Sequence, residues 1–355
     1  MGRTWAHPLL CGYYGEHNLG DDALLEALLL QLPPGVQPWV TAADQALVEQ
    51  QFKLRSCNRH SLVAVLAALS RCDALIFGGG SLLQDSTSFR SLLYYAALII
   101  SARLQGKPVL LWGQGLGPLN RRRSRLLVRG LLPLVTAACW RDPDSAALAG
   151  RLGRRPGASD GVGSDPVWGL PPQQWRGLGG AIVVSWRSTP LLKAGQWRLL
   201  LGALCALAEN TDRAVIWLPF HAGQDVDLFR QLERAGLMPA ALKQRTEVME
   251  CGSVTEAMTV FSCAGLVLAM RLHALILGAL AGSPVAALSY DPKVAAAATG
   301  LACPCLPLNQ PLPEAAALTD IWQQVLDVPP EPKHLRSLAE GATQHRRLLR
   351  SAVAP

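Results

Sequence analysis

Residues Leu9–Leu32 read LLCGYYGEHNLGDDALLEALLLQL. An apolar stub runs into a glycine-bracketed loop carrying two tyrosines, a histidine and an asparagine, and two aspartates then open a helix. An apolar run of strand length turning through glycines into a helix is a βα unit. The pattern recurs along the chain. Further strands are expected at Pro8–Gly12, Ala74–Phe77, Pro108–Trp112, Val135–Trp140, Ala181–Trp186, Ala214–Leu218, Gly265–Ala269 and Val285–Ser289. Helical patterns lie between them, as at Ala23–Gln31, Phe89–Gln105 and Trp197–Glu209. Such alternation predicts parallel sheets with helices on both faces.

The stretch Asp160–Gly177, DGVGSDPVWGLPPQQWRG, is dense in Gly and Pro and precedes a new strand. It divides the chain into an N-terminal domain, residues 1–170, and a C-terminal domain, residues 171–355. Each has its own βα units, so the expected α/β architecture is two Rossmann-like domains facing across a cleft. The helical, Arg-rich end, Pro332–Ser351, is expected to cross back over the first domain.

Half of the 355 residues are apolar and 17% are charged, enough material for two ordinary cores. A net charge of +7 and a pI near 9.1 favour acidic partners: phosphorylated metabolites, anionic lipid or nucleic acid. Nucleic acid is disfavoured, because aromatic residues are few and no zinc-finger, RNP or helix-turn-helix pattern occurs. Nine scattered cysteines without framework spacing read as buried or loop thiols of a cytoplasmic protein. The N-terminal stretch MGRTWAHPLLCGYYG lacks the apolar core of a signal peptide. No apolar run reaches the roughly 18–20 residues of a membrane span. The positive charge allows peripheral contact with the inner membrane face, for which the run NRRRSRLLVRG from Asn120 is the candidate, although it reads first as a solvated helix face.

In parallel α/β sheets ligands bind beyond the carboxyl ends of strands. Four of the turns there are unusual. Phe77 is followed by GGGSLLQDSTSFRS, whose Ser81, Gln84, Asp85, Ser86 and Thr87 suit a sugar, and Trp112 by GQGLGP. Neither glycine loop has dinucleotide or P-loop spacing. Trp140 is followed by RDPDS and Ala269 by MRLHALILGAL. Arg271 and His273 therefore sit on the first turn of a helix, at the positive end of its dipole, where cations are unfavourable by up to about 1 kcal/mol. An anion held between them accounts for this. The alternative is an Arg271 satisfied by a carboxylate such as Asp291. Arg141, Arg187 and Lys293 fall on other strand-end turns, so cations gather where a small ligand with several acidic groups would lie.

The stretches GYYGEHNLGDDALL, FGGGSLLQDSTSFRSLLYY, GQGLGP, WRDPDS, SDPVW, MRLHALI and SYDPKV together resemble the polysaccharide pyruvyltransferases, in that family's order, from Gly12 to about Val294. The resemblance is strongest to the bacterial cell-wall type that modifies the polymer anchoring surface-layer proteins. Asp22 stands where the family usually has glutamate, and the basic tail has no counterpart. The resemblance implies a fold like that of the B-type (GT-B) glycosyltransferases. It also implies transfer of pyruvate from phosphoenolpyruvate to a cell-wall or lipid-linked sugar, giving a ketal and phosphate with no metal or other cofactor.

On that reading His273 and Arg271 are catalytic, and Arg141, Arg187, Arg271 and Lys293 bind the donor through its carboxylate and phosphate. A histidine acid would protonate the methylene carbon. The base for the sugar hydroxyl is Asp21, Asp22 or Asp85. If Asp21 and Asp22 cap their helix, the loop before them has little reason to take an anion. Tyr13, Tyr14, His17, Asn18 and Asp21, with Gln84 and Ser86, are then expected on the acceptor. Two other readings share these loops: a glycosyltransferase using a nucleotide sugar, and a non-catalytic sugar- or anion-binding protein.

Overall fold

The computed structural model describes residues 6–353 other than Thr87 and Ala158. Thr87 of the polar loop and the first five residues thus lie outside it. The chain forms two compact units, one of residues 1–16, 21–170 and 338–355, the other of residues 17–20 and 171–337.

The first unit contains β1 (Pro8–Tyr14), α1 (Leu19–Gln31), β2 (Trp39–Ala42), α2 (Gln45–Phe52), β3 (Arg55–Asn58), α3 (Leu62–Arg71) and β4 (Ala74–Gly78). It continues through α4 (Phe89–Leu104), β5 (Val109–Gln114), α5 (Arg122–Leu131), β6 (Ala137–Trp140), α6 (Pro143–Arg151) and β7 (Gly161–Val162). All seven strands are parallel, in the order β3-β2-β1-β4-β5-β6-β7. Every residue of β4 and β5 is buried, so these strands read as continuous apolar runs without alternation. The core between the sheet and α3, α4 and α5 is built from residues such as Phe77, Tyr95, Leu98 and Val128.

The second unit contains β8 (Ile182–Ser185), α7 (Ala194–Asn210), β9 (Val215–Trp217), α8 (Ala222–Asp225), α9 (Leu228–Arg234), α10 (Ala240–Arg245) and β10 (Thr246–Val248). Then come α11 (Val254–Ser262), β11 (Leu266–Ala269), α12 (Leu272–Leu280), β12 (Val285–Ser289), α13 (Pro292–Leu301), β13 (Cys305–Pro307), α14 (Ala315–Val325) and the first residues of α15 (Pro332–Val353), the rest of which belongs to the first unit. Its six strands are parallel in the order β10-β9-β8-β11-β12-β13. Trp186 centres this core, with ring centroids 5.6 Å from Trp217, 6.1 Å from Trp197 and 6.4 Å from Trp322.

Residues from Leu338 onward group with the first unit. There His345 is fully buried, its Nε2 donates to the Ser164 carbonyl at 2.7 Å, and its ring meets Trp112 edge-on at 5.7 Å. Burial holds this imidazole below the usual histidine range. All nine cysteines are free thiols. Among the described residues no helix is long and apolar enough to cross a membrane.

Candidate active site

Strand order reverses between β8 and β11 in the second sheet, which makes the carboxyl ends of those strands the switch point where α/β folds place ligands. Ser185 of β8 pairs with Ala269 of β11, and Ala269 with Ala287 of β12. Arg187, Arg271 and Lys293 follow these three neighbouring strand ends, and His273 stands in the first turn of α12. The structure thus brings all four together at one edge.

Arg271 is held firmly. Its Nε donates to Asp225 Oδ2 at 3.0 Å and its Nη2 to Asp225 Oδ1 at 2.6 Å and to Gln224 Oε1 at 3.0 Å. Asp225 is 0% exposed and also accepts from the backbone N–H groups of Phe220 (3.3 Å) and His221 (3.0 Å). A buried carboxylate with four donors fixes the plane of the guanidinium. The alternative of an Arg271 satisfied by a carboxylate therefore holds, with Asp225 in that role, while Asp291 caps α13 by accepting from Lys293 N at 2.9 Å. Arg187 Nη1 donates to the Tyr290 hydroxyl at 3.1 Å, and its guanidinium lies 4.9 Å from that ring's centre. Asp225, Gln224 and Tyr290 were not visible in the sequence reading. Asp225 lies 46 residues from Arg271, and no local pattern links them.

The loop His17–Gly20 groups with this unit, not with the strand that precedes it. Leu19 N donates to the Phe220 carbonyl (3.1 Å) and Ala222 N to the His17 carbonyl (3.0 Å), and Asn18 bridges His221 antiparallel. Asn18 Oδ1 accepts from Gly20 N at 3.1 Å and caps the first turn of α1. A methyl group on Gly20 would overlap the imidazole of His273, so only glycine lets the ring lie this close. His17 and Asn18, expected on the acceptor, therefore stand beside the expected donor residues.

In the first unit the glycine loops are laced together. Buried Gln114 accepts from Leu82 N (3.4 Å) and donates to the Gly79 carbonyl, and Gly115 N donates to the Gly80 carbonyl at 2.6 Å. Arg141 is buried among them. Its Nη2 donates to Ser81 Oγ at 3.0 Å and its Nη1 to Asp165 Oδ2 at 3.3 Å, while a side chain at Gly115 would collide with both Ser81 and Arg141. Four separate sequence motifs thus meet at one guanidinium. Gln84 and Ser86 bond one another, with Ser86 N donating to Gln84 Oε1 at 2.6 Å. Tyr13 is 44% exposed, and the buried Arg59 guanidinium lies 3.8 Å from its ring centre while donating to Glu16 at 2.7 Å. Sequence reasoning missed Arg59 and Glu16 as well.

Two expectations change here. Tyr14 is a buried brace: β1 continues through it, and its hydroxyl donates to the Gly78 carbonyl at 2.8 Å, so it does not face an acceptor. Asp85 is buried and accepts from the backbone N–H groups of Asn120 and Arg121, each at 2.8 Å. Desolvation works against it, but those two donors and the Arg121 charge hold its carboxyl below the usual range. A carboxylate stabilised in this way is a poor base. Asp22 is the opposite case. It is 4% exposed, and burial, then the charges of Asp21 and Glu26, push it from an ordinary 3.8 up to about 7. Asp21 and Asp22 therefore do not act as two fixed negative charges at the start of α1.

Each fold unit is thus a parallel α/β sheet with its polar loops at the carboxyl ends of the strands. The fold is shared with GT-B epimerases and glycosyltransferases. Among solved structures the chain is similar to a UDP-GlcNAc 2-epimerase from Methanocaldococcus jannaschii, with TM-score 0.65 and 11% identity over 97% of this chain and 99% of that one. It is similar to the UDP-GlcNAc 2-epimerase from Neisseria meningitidis bound to UDP-GlcNAc, with TM-score 0.60 and 12% identity over 98% and 99%. It is also similar to a UDP-glucosyltransferase from Polygonum tinctorium, with TM-score 0.59 and 12% identity over 99% of each chain. At such identities the likeness is one of fold. No curated protein sequence matches the chain. The family model described as polysaccharide pyruvyl transferase matches residues 18–292, most of the chain, and the protein belongs to that family.

Gly20→Ala will push the His273 ring from its place at a cost of about 1–3 kcal/mol. Turnover should fall at least about tenfold in a protein that still melts cooperatively, and wild-type turnover would show that the ring position is unimportant. Asp22→Asn tests the buried carboxyl. Because the folded state holds this proton up to about pH 7 while the unfolded chain releases it near 3.8, wild-type stability falls as pH rises across that window. The substitution should therefore be near neutral below pH 4 and stabilising by about 2–4 kcal/mol at pH 8, as read from denaturant melts. A pH-independent difference would contradict the raised pKa.

Proposed function

We propose that the protein transfers pyruvate from phosphoenolpyruvate to a sugar of a cell-wall or lipid-linked polysaccharide, forming a ketal and releasing phosphate. The observation that carries this reading is the grouping of Arg187, Arg271, His273 and Lys293 on three adjacent strand ends at the switch point of the second sheet. Family membership supports a transferase acting on polysaccharide. The surface-layer anchoring polymer is the acceptor class favoured by the motif resemblance.

Phosphoenolpyruvate offers a carboxylate and a phosphate, and a guanidinium locked in plane by Asp225 is suited to either. His273 gives its proton to the methylene carbon, which becomes a methyl group, and the central carbon accepts a sugar hydroxyl oxygen. The proton of that hydroxyl passes to a carboxylate. A second hydroxyl then displaces phosphate, giving its proton back to the His273 imidazole; phosphate leaves with its bridging oxygen, and positioned cations stabilise its charge. The Asp21–Asp22 pair is the better base, because Asp85 is committed to two backbone donors and Asp22 titrates near neutrality. Tyr13, Asp21, Gln84 and Ser86 remain the proposed acceptor contacts. Asn18 and His17 move to the donor side, and Arg141 becomes a positioning residue that holds the glycine loops. No metal or other cofactor enters the scheme.

A nucleotide-sugar transferase is the second reading, favoured by one observation: a protein of like fold was solved with UDP-GlcNAc. Incubation with a lipid-linked disaccharide and either phosphoenolpyruvate or UDP-sugars separates the two. The proposal predicts phosphate release that requires both phosphoenolpyruvate and acceptor. It further predicts that His273→Gln loses about 10²–10⁴-fold in kcat while still binding the donor. Nucleotide release without phosphate release would overturn it, and release of neither with these acceptors would count against the acceptor class.

A further inference from the structure

Helices α3, α4 and α5 lie side by side on one face of the first sheet. Their outer side is unusual in two ways at once. First, the outward stripe of α4 is apolar: exposed Leu93, Ile100 and Leu104, with half-buried Ala97 between them, recur at spacings of four, three and four, and Leu104 is 83% exposed. Val63 on α3 and Leu126 on α5 add to it, at 78% and 68% exposed. A solvent-facing helix stripe normally carries the charge. Second, none of the three helices contains a single Asp or Glu, while Arg90, Arg103, Arg122, Arg123, Arg125 and Arg129 are all exposed. Among the described residues none of these six is in an ion pair. Arg123 lies over the ring of Phe89, 4.1 Å from its centre, and so joins the start of α4 to the arginine face of α5. Helices α1 and α2 differ, carrying Asp21, Asp22, Glu26 and Glu49.

We infer that this α3–α4–α5 face docks on an anionic lipid surface. Cations alone would suit any polyanion, but exposed leucines and isoleucine set among arginines need a partner with both negative headgroups and an apolar layer beneath them. Nucleic acid has no such layer. A second copy of the chain would set arginine against arginine across a two-fold axis. The inference stands apart from the proposed chemistry, since it uses none of the residues assigned to donor or acceptor.

The test is co-sedimentation of the full chain with vesicles of phosphatidylcholine alone or with added phosphatidylglycerol. Binding should require phosphatidylglycerol and weaken with rising salt. The triple variant Arg90→Glu/Arg122→Glu/Arg129→Glu should lose at least about a hundredfold in partitioning, at about 1 kcal/mol per charge removed. Ile100→Ser/Leu104→Ser should lose about tenfold. These side chains are exposed, so both variants should melt as wild type does. Arg230→Glu/Arg234→Glu, two exposed arginines of the second unit, should bind as wild type. Failure of the wild type to bind, equal loss in the Arg230/Arg234 variant, or retained binding in the triple variant would overturn the inference. So would concentration-dependent dimerisation through this face, or binding to DNA in place of vesicles.

Discussion

The carboxylate of Asp225 organises the candidate site. It has no exposure to solvent, and four donors converge on it: two from Arg271 and the backbone N–H groups of Phe220 and His221. A charge buried so deeply would be costly unless paired, and pairing it fixes whatever pairs with it. The guanidinium of Arg271 takes its plane from this contact. The turn from Phe220 to Ala222 takes its shape from the same contact, and the loop His17–Gly20 hangs on that turn through two backbone hydrogen bonds. Gly20 then sets the space available to His273. Arginine and histidine, the turn that carries Asp225, and the loop therefore form one unit, although they come from three distant parts of the chain.

The first sheet uses the same device with a different pair. Arg141 is buried between Ser81 and Asp165, and Gln114 ties the two glycine loops through backbone contacts. The role of these glycines is close approach: a side chain at Gly115 would displace the arginine. Charge at both sites is thus spent first on geometry. This is what a transfer reaction needs, because misplacement of reacting groups by even 1 Å costs about a hundredfold in rate.

The parallel α/β architecture was legible because buried strands such as ALIFG and VAALS carry continuous apolar residues. The sheet edges were not. RSCN, GV, TEV and CLP are short, partly polar strands whose existence depends on a neighbour already in place. The positions of Arg187, Arg271 and Lys293 followed from alternation, since any residue just past a parallel strand lies at the ligand-bearing edge. The partners did not follow, because Asp225 reaches Arg271, Tyr290 reaches Arg187 and Asp165 reaches Arg141 across the fold. Tyr14 was misread for a related reason. Ending the first strand at Gly12 made it a loop residue, whereas two more strand residues bury it against Gly78. Asp21 and Asp22 looked like helix-capping charges, but Asn18 is the cap and burial of Asp22 disfavours its ionised form.

The central claim is that Asp225 acts by orienting Arg271 toward an acidic donor. Titration calorimetry of phosphoenolpyruvate into wild type and Asp225→Asn measures it directly. Asparagine keeps the shape but removes the charge and one of the two acceptors that Arg271 grips. The account predicts a folded protein that binds phosphoenolpyruvate at least about tenfold more weakly than wild type. Equal affinity in a folded Asp225→Asn protein would contradict it.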